Sequence, residues 1–566
     1  MENILVEFAV VVSLAAGLSL VFRLFRQPAI LAYILTGIIV GPLGLYKLAD
    51  QTFIRVLAEF GITLLLFMMG LEIKLSDFRY VGKVIAFASV GQIVLTFLSS
   101  YFIAFVFGYS QIISLYIGAC LTLSSTIVIV KFLSDKRDLN SLYGRISVGI
   151  LLAQDFLVIL LLMLLSGLSP AASGVEAFDK FAPTLFKGAL IFGVLYYLSK
   201  RVFPKVVEFL AKSDESLFLV SIAWLLALSA IISSRFIGFS VEIGGFLAGL
   251  SLANSIANYQ IIARAKILRD FFIVLFFVLL GIQIGFADFG KILLPGIILS
   301  IFVLVGKPLL VIFLVSIVGY KKRTAYLTGI NFGQISEFSL ILIFLGNKLG
   351  HVPHEAVSLV AFVSIVSFAI STYVILNGKK LYLSFGKYMF FIKKNDGHRE
   401  NASSPDSLSG LSKHIIIIGG EQMGEAVIDA LEGSEKEIVV VDFDPDIVQR
   451  LSEKNVHRVF GDISDIDIQD RINIDKSALV ISTVPDVEDN LALIKRLKNK
   501  NKNVDIIVMA FSPNDAKELY QYGADYVVLP HLAGGKQIAQ ILRKSNLEGN
   551  TLQNLREKDL AYLRRA

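Results

Sequence analysis

The chain has 566 residues, of which 55% are hydrophobic and only 18% charged, with a mean hydropathy of +0.70. Soluble domains carry about 25% charged residues, and single cores stop growing at roughly 250–300 residues, so the composition excludes a soluble protein. The net charge of +6 does not argue for nucleic acid, because membrane topology accounts for the basic residues, and the single cysteine, Cys120, leaves no disulfide framework and no sign of a zinc site.

Composition changes once, near residue 378. Before it, apolar runs recur that are each long enough to cross about 30 Å of hydrocarbon. Thirteen spans are predicted: 4–22, 29–47, 54–71, 85–107, 112–134, 142–166, 184–200, 216–233, 240–254, 266–286, 292–318, 324–348 and 357–377. The first lacks a basic leader and a small-residue cleavage site, so it reads as a retained helix rather than a signal peptide. With the N-terminus outside, the inner loops hold Arg23 and Arg26, Lys74 and Arg79, Lys136 and Arg137, Lys200, Arg201 and Lys205, Arg264 and Lys266, and Lys321 to Arg323. The outer loops hold mostly single charges: Lys47, Lys180, Arg235, Lys291 and Lys348. That alternation satisfies the positive-inside rule. Spans 1–6 and 8–13 then start on opposite sides, as inverted repeats would.

The polar residues inside these spans are few and concentrated. The fifth, GACLTLSSTIVIVKFL, gathers Thr122, Ser124, Ser125 and Thr126, whose hydroxyls compete with backbone hydrogen bonds. The twelfth, NFGQISEFSLILIFLG, gathers Asn331, Gln334, Ser336, Glu337 and Ser339 behind Gly333. One interruption in each half points to two unwound, crossing helices at mid-membrane; ordinary hydroxyl contacts between helices are the plainer alternative. In the sixth span Gln154 precedes Asp155 deep in apolar sequence, where an ionisable group by default marks an ion or proton path. Asp155 is therefore the expected seat of a proton or an alkali ion, with the oxygens of the broken helices replacing the ion's water; a structural Asp that caps a neighbouring broken helix is the plainer alternative. In the eleventh, Lys307 beside Pro308 either pairs with Asp155 or snorkels to an interface. Glu242 lies near a span end and is a weaker candidate.

The stretches TLSSTIVIVKFL, LLAQDFLVI, IGGFLAGLSLA, LRDFFIVLFFVLLGIQIGF and GQISEFSLIL resemble the cation:proton antiporter superfamily, and within it the Kef-type potassium efflux systems. The resemblance implies a dimerisation bundle and a core bundle with elevator-like movement, a homodimer, and Gln154 with Asp155 as the ion-binding pair. A single carboxylate in that pair implies electroneutral exchange. Kef systems gated by glutathione carry an acidic loop after the GFLAG helix; here ANYQIIARAKILRDFF leaves only Asp270 acidic, which speaks against that gating.

Residues 379–412 read as a linker, with the run NDGHRENASSPDSLSG. From 413 to 545 short β-branched strands alternate with charged helices, the pattern of a Rossmann-like α/β domain, and 546–566 read as a charged tail. The stretch KHIIIIGGEQMGEAVIDAL is a strand, a turn and a helix start, and Asp442 ends the second strand 23 residues beyond Gly419. Further strands are expected at 456–460, 478–482, 505–510 and 526–529. The whole resembles the RCK, or TrkA-N, regulatory domain, with GDISD at Gly461 and HLAGGKQIAQILR near its end. Gly419, Gly420, Gln422, Met423, Gly424, Asp442 and Asp462 are the candidate nucleotide contacts. Glu421 stands where the fingerprint has its second glycine and would repel a pyrophosphate. That disfavours NAD(H) and leaves AMP or another adenine nucleotide, or an empty domain.

The function expected is K⁺/H⁺ exchange with Asp155 as the exchange carboxylate, in a cell membrane, with the soluble domain in the cytoplasm taking a small-molecule regulator. A sodium exchanger of the same fold and a ligand-gated, channel-like efflux pathway are the alternatives. An enzyme is not: the sequence has no nucleophile elbow, metal cluster or phosphate-cradling GK[ST] loop.

Overall fold

The computed structural model describes residues 2–44, 52–72, 83–136, 138–139, 141–166, 187, 190–195, 197–204, 207, 214–234, 237–255, 258–284, 289–320, 322–385, 408, 410–442, 445–461, 463, 466–484, 486–501, 503–545 and 556. The chain forms two compact units, one made mainly of the apolar segments before residue 392 and one mainly of the residues after it.

In the apolar unit the helices are α1 (Glu2–Leu24), α2 (Ala29–Val40), α3 (Thr52–Glu72), α4 (Lys83–Val106), α5 (Gln111–Thr122), α6 (Thr126–Asp135) and α7 (Leu142–Ser166). They continue with α8 (Asp214–Ile232), α9 (Val241–Leu252), α10 (Asn258–Ile282), α11 (Phe289–Ile301), α12 (Lys307–Ile317), α13 (Lys322–Ile330), α14 (Glu337–Lys348), α15 (His354–Leu376) and α16 (Gly378–Phe385). Among the described residues, seven helices are long and apolar enough to cross a membrane by length and composition. The span expected at 184–200 falls partly outside the described residues, and those described within it are helical. The second span is shorter than its apolar run, since α2 stops at Val40. The first residues of the predicted linker, 379–385, lie in helix α16.

Contacts sort these helices into two bundles. α3 packs on α9 and α10, α2 on α10 and α1, and α8 on α9. Separately, α4 packs on α5 and α12, α12 on α13, α11 on α15, and α14 on α5 and α15. Glycine sets how closely the first bundle packs. A Cβ on Gly249 would stand 1.9 Å from the Phe67 carbonyl oxygen, and one on Gly37 would stand 2.0 Å from that of Val278. Small residues let backbones meet where lipid supplies no hydrophobic drive between helices.

The two helix interruptions are present. Helix α5 stops at Thr122 and α6 begins at Thr126; α13 stops at Ile330 and α14 begins at Glu337. Leu123, Ser124 and Ser125 are buried, as are Asn331, Phe332, Gln334, Ile335 and Ser336. Irregular backbone at membrane depth survives only with protein or water around it. A third irregularity escaped the sequence reading: α11 runs into a π turn, Phe302–Gly306, directly before Lys307. Pro308 has no N–H and its ring crowds the carbonyl four residues earlier, so the ladder widens there.

The soluble unit is a six-stranded parallel sheet in the order β3-β2-β1-β4-β5-β6. Its strands are β1 (Ile415–Ile418), β2 (Ile438–Asp442), β3 (His457–Phe460), β4 (Leu479–Ser482), β5 (Asp505–Met509) and β6 (Tyr526–Val528). The helices are α17 (Gln422–Ala430), α18 (Pro445–Arg450), α19 (Ile466–Arg471), α20 (Val487–Lys500), α21 (Pro513–Gln521) and α22 (Pro530–Ser545). β1, the Ile415–Ile418 run, is buried along its whole length, as a strand covered on both faces must be. This is the doubly wound order, whose ligand crevice lies where the strand sequence reverses, beyond the C-terminal end of β1.

Candidate functional site

The site is assembled from the two interruptions, which lie side by side. The Cys120 thiol donates to the Ser339 carbonyl at 3.2 Å, and the Ser339 hydroxyl donates to the Cys120 carbonyl at 2.5 Å. Each interruption leaves backbone groups without helical partners. At the first, Gln154 Oε1 accepts the Ser124 N–H at 2.9 Å, and Gln154 Nε2 donates to Gln92 Oε1 at 2.6 Å. Gln92 in turn donates to the Thr122 carbonyl and to Thr96 Oγ1, both at 3.2 Å. Gln92 and Gln154 are fully buried and together brace the unwound turn. The sequence reading missed Gln92, although a lone glutamine in the apolar run SVGQIVLTFL was a visible signal.

Lys307 is also fully buried. Its Nζ donates to the carbonyls of Leu121 at 3.0 Å, Leu123 at 2.7 Å and Gln334 at 3.2 Å. Three acceptors match the three protons of an ammonium. Two of them lie at the C-terminal end of α5, where free carbonyls make the helix end negative. Neither sequence expectation for Lys307 holds. It does not snorkel, and among the described residues it forms no ion pair with Asp155. The broken helix supplies acceptors that a continuous one would have kept.

Asp155 is half-buried, beside the buried Gln154. Its Oδ2 accepts the Thr126 hydroxyl at 2.9 Å, next to the N-terminal end of α6. Ser125 Oγ accepts the Val128 N–H at 3.3 Å, so that hydroxyl caps α6. Across the crossing, Glu337 is 2% exposed and opens α14. Among the described residues neither of its carboxylate oxygens has a hydrogen-bond partner, and Gln334 Nε2 is likewise without an acceptor. Gln334 Oε1 accepts from Ser371, and Ser336 Oγ accepts the Phe338 N–H. Glu337 and Glu72 of α3 lie within electrostatic reach of Asp155, and Arg269 of α10 within that of Glu337 and Glu72. The structure thus brings Asp155, Thr126, Ser125, Gln334 and Glu337 round the crossing, and turns Gln154, Thr122, Ser124 and Lys307 to bracing it.

Glu242 is buried rather than facing water, and Lys348 lies 3.3 Å from it. Asp270 is engaged by the adjacent Arg269 at 2.7 Å. Among the described residues no cluster of histidine, cysteine and acids has the makings of a metal site.

In the soluble unit, Gly419 has φ +90°, and a Cβ there would stand 2.2 Å from Thr483 Oγ1. A Cβ on Gly424 would stand 1.9 Å from the Gly419 carbonyl oxygen. Both positions therefore require glycine. Gly420 packs on Ile447 and Leu451, so the glycine pair closes the turn on the α18 side. Asp442 is 6% exposed and accepts the Gly420 N–H at 2.7 Å, which directs its carboxylate at the turn itself. Glu421 is the N-cap of α17 without a side-chain cap bond, and Gln422 and Met423 open that helix. Asp462 lies outside the described residues.

Comparisons with known proteins follow the two units. The family model described as sodium/hydrogen exchanger, transmembrane, matches residues 10–377, and the TrkA-N domain model matches 415–530. The chain is 26% identical over 550 residues to the putative cation/proton antiporter YbaL of Escherichia coli, covering 94% of this chain and 96% of that one. It is 31% identical over 346 residues to K(+) efflux antiporter 4 of Arabidopsis thaliana, covering 60% of this chain and 58% of that one. The solved sodium proton antiporter MjNhaP1 of Methanocaldococcus jannaschii superposes with a TM-score of 0.50 at 16% identity, over 70% of this chain and 99% of that one. That likeness speaks for the fold alone. The chain belongs to the sodium/hydrogen exchanger family, as a Kef-type, multi-pass membrane antiporter with a TrkA-N domain, and is a transporter rather than an enzyme.

Proposed function

We propose that the chain exchanges K⁺ for H⁺, with the Asp155 carboxylate as the seat both cations claim in turn. The observation that carries this reading is a half-buried carboxylate with one hydroxyl donor, set against two helix interruptions. An ionised Asp155 attracts a bare alkali ion, and hydroxyl and carbonyl oxygens round the crossing take over part of its hydration shell. A proton arriving at the same oxygen removes the charge and releases the ion. Competition at one group couples the two fluxes without a separate gate. One exchangeable charge makes the cycle electroneutral, and elevator-like movement of the bundle carrying α5, α6, α13 and α14 would carry the site across. The choice of K⁺ follows the relatives named K(+) efflux antiporters; Na⁺ is the alternative that the family description, sodium/hydrogen exchanger, keeps in view.

The test is dequenching of a pH dye in proteoliposomes on adding K⁺ or Na⁺. K⁺-driven proton movement is expected from the wild type and none above background from Asp155→Asn. Normal exchange by Asp155→Asn rejects the reading, a response to Na⁺ alone changes the ion, and cation flux without counter-movement of protons turns the protein into a channel-like pathway. For the soluble domain, we infer an adenine mononucleotide at the turn 419–424, since Glu421 opposes a pyrophosphate there. AMP should raise the melting temperature of the full chain in detergent; no shift with AMP, ADP or NAD⁺ leaves the turn a purely structural feature.

A further inference from the structure

Lys348 ends α14, one half of a broken helix, and reaches out of its own bundle. Its Nζ lies 3.1 Å from Glu59 Oε2 of α3 and 3.3 Å from Glu242 Oε1 of α9. Helices α3 and α9 belong to the other bundle. The three groups are graded in exposure: the Lys348 side chain is 38% accessible, that of Glu59 33% and that of Glu242 4%. Among the described residues Glu242 Oε2 has no hydrogen-bond partner. A buried carboxylate so poorly served depends on the ammonium beside it, and parting them strands a buried charge.

The far end of α3 shows the opposite arrangement. Glu72 lies thirteen residues beyond Glu59, about 20 Å along the helix. Glu72 is exposed and within electrostatic reach of Asp155. Arg269 of α10, paired with Asp270, also acts electrostatically on Glu72 and Glu337. Asp155 thus feels the charge at the end of the unit where α3 finishes, and the Lys348 ion pairs tie the bundles together at the end where α3 begins.

We infer that Lys348, with Glu59 and Glu242, is an inter-bundle latch that closes one mouth of the transporter while Asp155 is open to the other. The inference rests on the alternating-access reading above and adds the residue that sets the balance between the two states. Moving the α14 bundle past α3 and α9 breaks both pairs, so the latch must open once in every cycle. Its strength tunes how often the second state is visited, and through it the apparent cation affinity.

Two measurements on the full chain decide it. In nanodiscs, Lys348→Gln should speed deuterium uptake at the start of α9 and the end of α14, and Lys348→Arg should keep the wild-type pattern. Unchanged uptake in Lys348→Gln overturns the latch. In proteoliposomes, Glu242→Cys combined with Lys348→Cys should exchange cations while its thiols are free. Joining them with a short bis-maleimide should stop exchange, and full-rate exchange by the joined protein overturns the latch. Lys348→Gln should also move the apparent KM for K⁺ about threefold or more, and the charge swap Lys348→Glu with Glu242→Lys should return it. If the wild type exchanges nothing, the antiport reading fails and the deuterium experiment still judges the latch.

Discussion

The two helix interruptions look alike in sequence and differ in how completely they are satisfied. At the first, Gln154, Gln92 and Lys307 meet loose backbone groups one by one, and the Ser124 hydroxyl has no partner among the described residues. At the second, Glu337 and Gln334 keep polar atoms that form no hydrogen bond. An unmet buried polar group is expensive, and it persists where a changing partner has use for it. The comparison separates a braced edge that holds the site's shape from an edge with spare capacity, where an ion or proton can be accommodated.

Lys307→Met breaks the comparison most severely. It leaves three buried carbonyls without a donor and should lower stability by about 3 kcal/mol or more, read by chemical unfolding in detergent, with exchange lost as well. Retention of both would mean that the braced edge holds without its ammonium. Glu337→Gln should slow exchange about tenfold while leaving the unfolding midpoint near wild type, because the carboxylate has no hydrogen bond to lose. A large stability loss with normal exchange would make it a structural acid. Gln92→Leu should cost about 1–3 kcal/mol, since it frees the Thr122 carbonyl and the Gln154 amide together, and should weaken cation affinity through the distorted turn.

The smallest effect lies outside the membrane. His414 is 1% exposed, its Nε2 meets the Ile472 carbonyl at 2.9 Å, and Nδ1 has no partner among the described residues. Burial holds its pKa below the usual histidine value, with His457 adding to the effect and the Ile472 bond opposing it. The unfolded chain therefore binds the proton more readily than the folded one. The stabilisation is complete above the unfolded value of about 6.5 and is lost as pH falls below it. Deuterium uptake in β1, corrected for the slower intrinsic exchange at lower pH, should rise in the full chain between pH 7 and pH 5.5, and His414→Gln should flatten that rise. A flat wild-type profile would show that the imidazole titrates equally in both states.

The comparison also marks how far sequence patterning reaches. Four-residue β-branched runs and the Gly419–Gly424 spacing placed the sheet to within a residue or two, because a buried parallel strand leaves little choice of composition. The polar clusters at 122–126 and 331–339 located both interruptions, because hydroxyls and amides in an apolar span have few other uses. The role of each side chain was less legible. The expected pairing of Lys307 with Asp155 followed from charge alone, and could not foresee that unwinding α5 would expose carbonyls to the ammonium first. Gln92 lies sixty-two positions before Gln154, and nothing local in either segment announces the partner.

By itself the sequence determined the membrane class, the division into an apolar and a soluble unit, and the acid around which exchange is proposed, since each follows from where apolar runs stop and where a carboxylate interrupts one. Only the tertiary structure decided which polar groups brace the crossing, which remain unmet, and that Lys348 reaches across to Glu59 and Glu242. Those are properties of distance between segments far apart in the chain, and hydrogen bonds and ion pairs fall off within a few ångströms.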